Sequence, residues 1–140
     1  MPRIKVSLDP APNMVDDDGR KVGRWTEADS HGGTMTGEYV AGERCGVWRH
    51  YFVDGSLRSE GEFDHGSLHG TWTWYRATGG LLQRGGFLGD EKHGLWQRWD
   101  AHGNPIDSGR WERGAKSGEW TSFNPDGTVK KTTTHRPRRP

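Results

Sequence analysis

Gly66-Ser67-Leu68-His69-Gly70-Thr71-Trp72 reads as G-x-x-x-G-x-W, and the chain repeats it. Residues 19–25, 42–48 and 114–120 are further copies, and residues 90–96 are another, with Asp90 in place of the first Gly. The Trp residues that close these copies, Trp25, Trp48, Trp72, Trp96 and Trp120, lie 23, 24, 24 and 24 residues apart. A fixed period of this size marks a repeat protein. No single unit buries its own apolar face, so stability comes from stacking neighbours.

Outward from each Gly-x-Trp the unit fills in. Counted from Gly46, Trp48 stands at +2, Tyr51 at +5, Gly55 at +9, Gly61 at +15, Phe63 at +17 and Gly66 at +20. The next units place Trp72, Tyr75 and Phe87, then Trp96, Trp99 and Trp111, at the same offsets. A last half-unit has Trp120 and Phe123. The first unit is one residue short, with Trp25 and Tyr39 and with Ala28 at the +5 place. Thirteen of the 15 aromatics fall on these places, so the rings are read as repeat structure and the two exceptions, Phe52 and Trp74, as something else.

Each unit reads as two strands and two turns. The first strand is expected over about 47–53, ending in Asp54-Gly55, and the second over about 57–64. An x-Gly pair between two β-rich runs is a hairpin signal, and the whole G-x-x-x-G is read as the return turn. Asp90 suits a Gly place because Asp visits the left-handed region more readily than most residues. Glycine at this density costs a helix about 1 kcal/mol per residue against Ala. The expected fold is all-β: an antiparallel meander of stacked β-hairpin repeats, about ten strands long, elongated as a single sheet or solenoid. Offsets +2 and +5 point to opposite faces of a straight strand, so either both faces carry rings or a bulge separates them.

The 140 residues suit one domain. Only 29% are hydrophobic, against 22 Gly and eight Trp, which excludes a thick aliphatic core. A regular row of rings, each removing roughly 150–250 Å² from water, is the alternative. Residues 1–18 read as an N-terminal strand, where Ile4, Val6 and Leu8 alternate with polar residues, followed by a linker. Residues 19–127 are the repeat array. Residues 128–140, with Lys130, Lys131, Arg136, Arg138 and Arg139 and no acid, read as a basic, disordered tail. The N-terminus lacks a signal-type apolar core and no run is long enough for a membrane span, so a cytoplasmic location is expected.

Few residues carry a chemical pattern. His69 and His93 occupy equivalent places 24 apart, with Cys45 one unit earlier, but short local metal-ligand spacing is missing. His65 and His102 sit beside turn glycines. Asp16-Asp17-Asp18-Gly19 lacks the alternating ligands of a calcium loop and reads as an acidic turn. No nucleophile elbow, phosphate-cradling loop or placed carboxylate pair is found, so no catalytic residue, metal or cofactor is expected. The off-period Trp74 lines up, on the meander, with His50 and Arg98 as a row across the sheet, flanked by Phe52 and Arg76. Trp and Arg dominate binding energy at interfaces, so these five form the candidate partner-binding patch. The alternative reading of Trp74 is an extension of the ring stack. The basic tail would give only weak, salt-dependent contact with nucleic acid or anionic lipid, and no specific nucleic acid is expected.

The combination G-x-W-x-x-Y-x-x-x-G and G-x-F-x-x-G-x-x-x-G resembles the variant MORN repeat over residues 19–127, and is similar to bacterial proteins of the YwqK antitoxin family. The resemblance implies a non-catalytic interaction module. The antitoxin name implies a partner toxin neutralised by direct binding. The other reading is a structural scaffold that self-associates or binds a membrane surface.

Overall fold

The computed structural model describes residues 11–136. Eleven strands are found among them: β1 (Met14–Val15), β2 (Lys21–Ala28), β3 (Thr34–Val40), β4 (Glu43–Tyr51), β5 (Leu57–Asp64), β6 (Ser67–Tyr75), β7 (Leu81–Leu88), β8 (Glu91–Trp99), β9 (Pro105–Glu112), β10 (Ala115–Phe123) and β11 (Val129–His135). They form one sheet in chain order, each pair antiparallel, and the described residues contain no helix. The expected all-β meander is therefore the fold. The expected strand over residues 1–8 lies outside the described residues.

One glycine place does different work from the turn role expected of it. The return turn from β5 to β6 is only His65-Gly66, with φ of 47° and 88°. Two consecutive positive φ values make the mirror-image turn whose twist suits a tight hairpin. The second Gly of the motif, Gly70, has φ 69° but lies inside β6. There β6 carries two residues more than β5 between paired positions, Glu60 with Thr73 and Glu62 with His69. A two-residue excess leaves the side-chain alternation intact, so both halves of the strand keep their faces.

Gly61, at +15, falls inside the second strand as expected. It lies in mid-β5, and a Cβ there would fall inside the Trp72 indole. The same holds for Gly37 under Trp48, Gly85 under Trp96 and Gly109 under Trp120. Each indole lies flat on the neighbouring strand, and its Nε1 donates to a backbone carbonyl: Trp48 to Glu38, Trp72 to Glu62, Trp96 to Gly86 and Trp120 to Arg110, at 2.9–3.0 Å. Glycine, ring and carbonyl form one lock per unit.

The locks join into a ladder of edge-to-face rings running Trp25–Tyr39–Trp48–Phe63–Trp72–Phe87–Trp96, with centroids 5.1–6.5 Å apart. It resumes at Trp111–Trp120. Such pairs contribute about 0.5–1.5 kcal/mol each beyond area burial. Tyr39, Trp48, Trp72, Trp96 and Trp120 are all at most 9% exposed, so the core is this ladder. Alternation along β4 puts Trp48 and His50 on the ladder face and Arg49 and Tyr51 on the back face. Both faces thus carry rings. Tyr51 packs in register with Leu57 on the back, 4% and 7% exposed. Burial pushes the Tyr51 hydroxyl above its ordinary range.

One expectation is corrected. The stretch read as a disordered tail is, over Val129–His135, strand β11, paired with β10 from Phe123↔Val129 to Gly118↔His135. Its Lys and Thr residues carry little apolar signal. Backbone pairing and the edge of Trp120 against His135, at 6.5 Å, hold it instead. Met14–Val15, inside the expected linker, pairs with β2, and the Met14 carbonyl accepts the Trp25 Nε1–H at 2.9 Å.

Candidate functional site

Register places the expected row in one line on the ladder face. His50 pairs with Ser59, Ser59 with Trp74, Trp74 with Gln83, Gln83 with Arg98 and Arg98 with Asp107. The strands hold His50, Trp74 and Arg98 on alternate rungs, about 10 Å apart at ordinary strand spacing.

The three are not equally free. His50 Nε2 lies 2.5 Å from Asp29 Oδ2. Asp29 closes the β2–β3 turn, its Oδ1 accepting the backbone N–H groups of His31 and Gly33. The hydrogen bond to His50, helped by these two, pulls the Asp29 carboxyl down to about 2. Arg98 makes two bonds to Asp107, at 2.9 and 2.6 Å, which raise its already high pKa. Trp74 is left as the open member. It is half-buried, wedged at 6.2 Å from Trp72 and 5.7 Å from Trp96, both at a 32° tilt, and 6.2 Å from Phe87. It extends the ladder and also offers surface.

Phe52 and Arg76 do not join the row. Both lie just past strand ends, in the turns after β4 and β6. The Arg58 guanidinium covers Phe52 at 5.4 Å, and Arg76 donates to the Trp99 carbonyl at 2.9 Å, holding two hairpins together.

A periodic set of cations on the ladder face went unread in the sequence. Lys21 lies 4.6 Å from the Trp25 centroid, Arg44 4.5 Å from Trp48, Lys92 4.6 Å from Trp96 and Lys116 4.6 Å from Trp120. The signal was there: 21, 44, 68, 92 and 116 are one place in five units, and the third holds Leu68. Lys21 and Arg44 share Glu27, at 2.8 and 3.5 Å. Burial pushes Glu27 up, and the hydrogen bonds from Lys21 and Tyr39 outweigh it, holding the carboxyl below its usual range. Among the described residues no carboxylate pairs with Lys92 or Lys116.

Two hollows follow on this face. One, of about 240 Å³, is lined by Met35, Trp48, Phe63, Leu68, Trp72 and Trp74, and also by Arg44, Arg49, His50 and Ser59. The other, of about 360 Å³, is lined by Lys92 and Lys116, by Trp96, Trp111 and Trp120, and by Gln83 and the Arg98–Asp107 pair. Among the described residues no group of three or more His, Cys, Asp or Glu is placed to hold a metal. His69 and His93 are strand residues rather than turn residues.

Residues 116–136 match the MORN repeat variant. This MORN segment covers β10, β11 and the turn between them. It contains the first half of the pattern: Lys116 on Trp120, Gly118 in the strand, Phe123 on the back and Gly127 in the distal turn. The Gly-x-Trp of this segment recurs toward the N-terminus at steps of 24, 24, 24 and 23 residues. No curated protein matches the chain.

Proposed function

We propose that this chain is a cytoplasmic, non-catalytic repeat module that binds another protein through its ladder face, with Trp74 at the centre of the contact. One observation carries the reading. Trp74 is the sole off-period aromatic among the strands, and it lies half-exposed on the face where the register gathers His50 and Arg98. Trp is the residue most enriched where interfaces concentrate their energy. The resemblance to YwqK-type proteins supplies a finer version, in which the partner is a toxin whose active surface is covered.

The test is affinity capture from the native cells with the tagged full chain and its Trp74→Ala variant. One partner near equal stoichiometry, lost with Trp74→Ala while circular dichroism is unchanged, is the expected result. A partner retained by the folded variant removes Trp74 from the contact.

A second reading, a self-associating scaffold, draws on the sheet edges. Among the described residues β11 has a neighbour on one side only, and an unpaired edge invites another strand. Mass that rises with protein concentration in light scattering, with no captured partner, would favour it.

A further inference from the structure

We propose that the ladder face is a two-part acceptor for an acidic protein segment: the hollow at Leu68 and Trp74 takes one large apolar side chain, and Lys92 and Lys116 take carboxylates that follow it. This deepens the protein-binding reading and rests on it.

The first part comes from a break in the period. Where neighbouring units set an Arg or Lys over the Trp ring, the third unit has Leu68, in register with Phe63. The same unit adds Trp74 between Trp72 and Trp96. Removing a cation and adding a ring at one place makes that stretch more apolar, with Arg44, Arg49 and His50 still lining its hollow. The hollow there, about 240 Å³, is below the roughly 300–1,000 Å³ of small-molecule sites and suits a single side chain.

The second part comes from charge. On the N-terminal side Glu27 answers both Lys21 and Arg44. On the C-terminal side Arg98 is held by Asp107, but Lys92 and Lys116 have only rings beneath them. Lys92 sits 4.6 Å from Trp96 and 4.7 Å from Trp111, which fixes its ammonium over the second hollow. Two ordered, unanswered cations beside an apolar hollow complement a segment with an aromatic or aliphatic anchor and acidic neighbours. Trp74 on β6 stands two to four strands from Lys92 on β8 and Lys116 on β10. At about 4.8 Å per strand this is roughly 10–20 Å, or about three to six extended residues of a partner. Two free lysines also fall short of the about four to eight that mark a lipid-binding basic surface, so the geometry favours a protein over a membrane.

The probe is a phage library of random twelve-residue peptides, selected on the immobilised full chain. The expected consensus has one aromatic or large aliphatic residue and Asp or Glu about three to six positions away. A labelled synthetic copy is then titrated by fluorescence anisotropy. Leu68→Lys installs the residue type of the sister units and so keeps the fold, and it should weaken binding more than tenfold. It adds positive charge, so charge alone would move affinity the other way. Lys92→Gln with Lys116→Gln keeps most of each aliphatic stem over its ring and should weaken binding and flatten its salt dependence. No enrichment, a basic or uncharged consensus, unchanged binding by Leu68→Lys, or binding only to phosphatidylserine vesicles overturns the proposal. If native capture still depends on Trp74 in those cases, the broader protein-binding reading stands and only the acidic-segment assignment falls.

Discussion

A methyl group on Gly85 would fall inside the Trp96 indole, against Cδ2 and Cε2, so the smallest possible substitution tests the core of a unit. Gly85→Ala must displace a ring that is 4% exposed, makes edge contact with Phe87 and donates to the Gly86 carbonyl. A clash with rigid backbone and ring has no small relief, so a loss of about 3 kcal/mol is expected by urea denaturation followed by Trp fluorescence. Gly80→Ala is the control. Nothing lies within 4 Å of its Cβ and its φ is not positive, so stability should shift by less than about 1 kcal/mol. Equal effects at the two glycines would contradict the ring-on-glycine lock. The letter G alone does not separate these cases. Gly85, Gly70 and Gly66 look alike in sequence, yet one lies under a ring, one sits in a bulge and one makes a turn. The rings were legible because their period is strict. Which glycine met which ring depended on strand register, which only the fold supplies.

At the scale of the hairpin, side chains tie each turn to the next strand. Asp29 closes the β2–β3 turn through two backbone N–H groups and reaches His50 on β4. Its carboxyl, held down at about 2, stays ionised in the folded chain where an unfolded Asp would take up a proton. A lowered carboxyl pKa stabilises the fold above the unfolded value, and that stability is lost as pH falls through the folded value. The wild type should therefore lose stability between about pH 4 and 2, and Asp29→Asn should show a shallower slope there. Asp16, Asp100 and Asp126 are also held low and remain in the variant, so the comparison is of slopes in thermal melts. Parallel profiles would mean that the Asp29–His50 link contributes nothing to folding. The hairpins themselves were readable from Asp54-Gly55 and its equivalents, while the return turn, read as Gly66 to Gly70, is the shorter His65-Gly66. Strand β11 was not, because its Lys-Lys-Thr-Thr-Thr run lacks the apolar alternation that announces a strand. His50, Trp74 and Arg98 do lie on one line across the sheet, but its end residues were not seen to be engaged. Asp29 and Asp107 come from a turn and a strand whose approach to His50 and Arg98 no local spacing encodes.

Among the described residues each strand pairs its backbone only with its sequence neighbours, so stability is close to a sum over adjacent interfaces. The ring ladder is continuous from Trp25 to Trp96 and resumes at Trp111, with Lys92 lying over the rings on both sides of that step. Such an array should shorten by degrees rather than collapse. Removing residues 129–140 deletes β11, strips the partner from β10 and uncovers Trp120, which is 9% exposed in the full chain. The ladder from Trp25 to Trp111 and its glycine locks are untouched. A loss of about 2 kcal/mol would lower the melting temperature by roughly 5–10 °C. The shortened chain should still unfold in one cooperative transition, with Trp emission shifted to the red before the melt. A globular core would respond differently, because losing one element would open it to solvent throughout. Loss of all cooperative unfolding in the shortened chain would show that the units are not independent neighbours, and that β11 holds the sheet together instead of ending it.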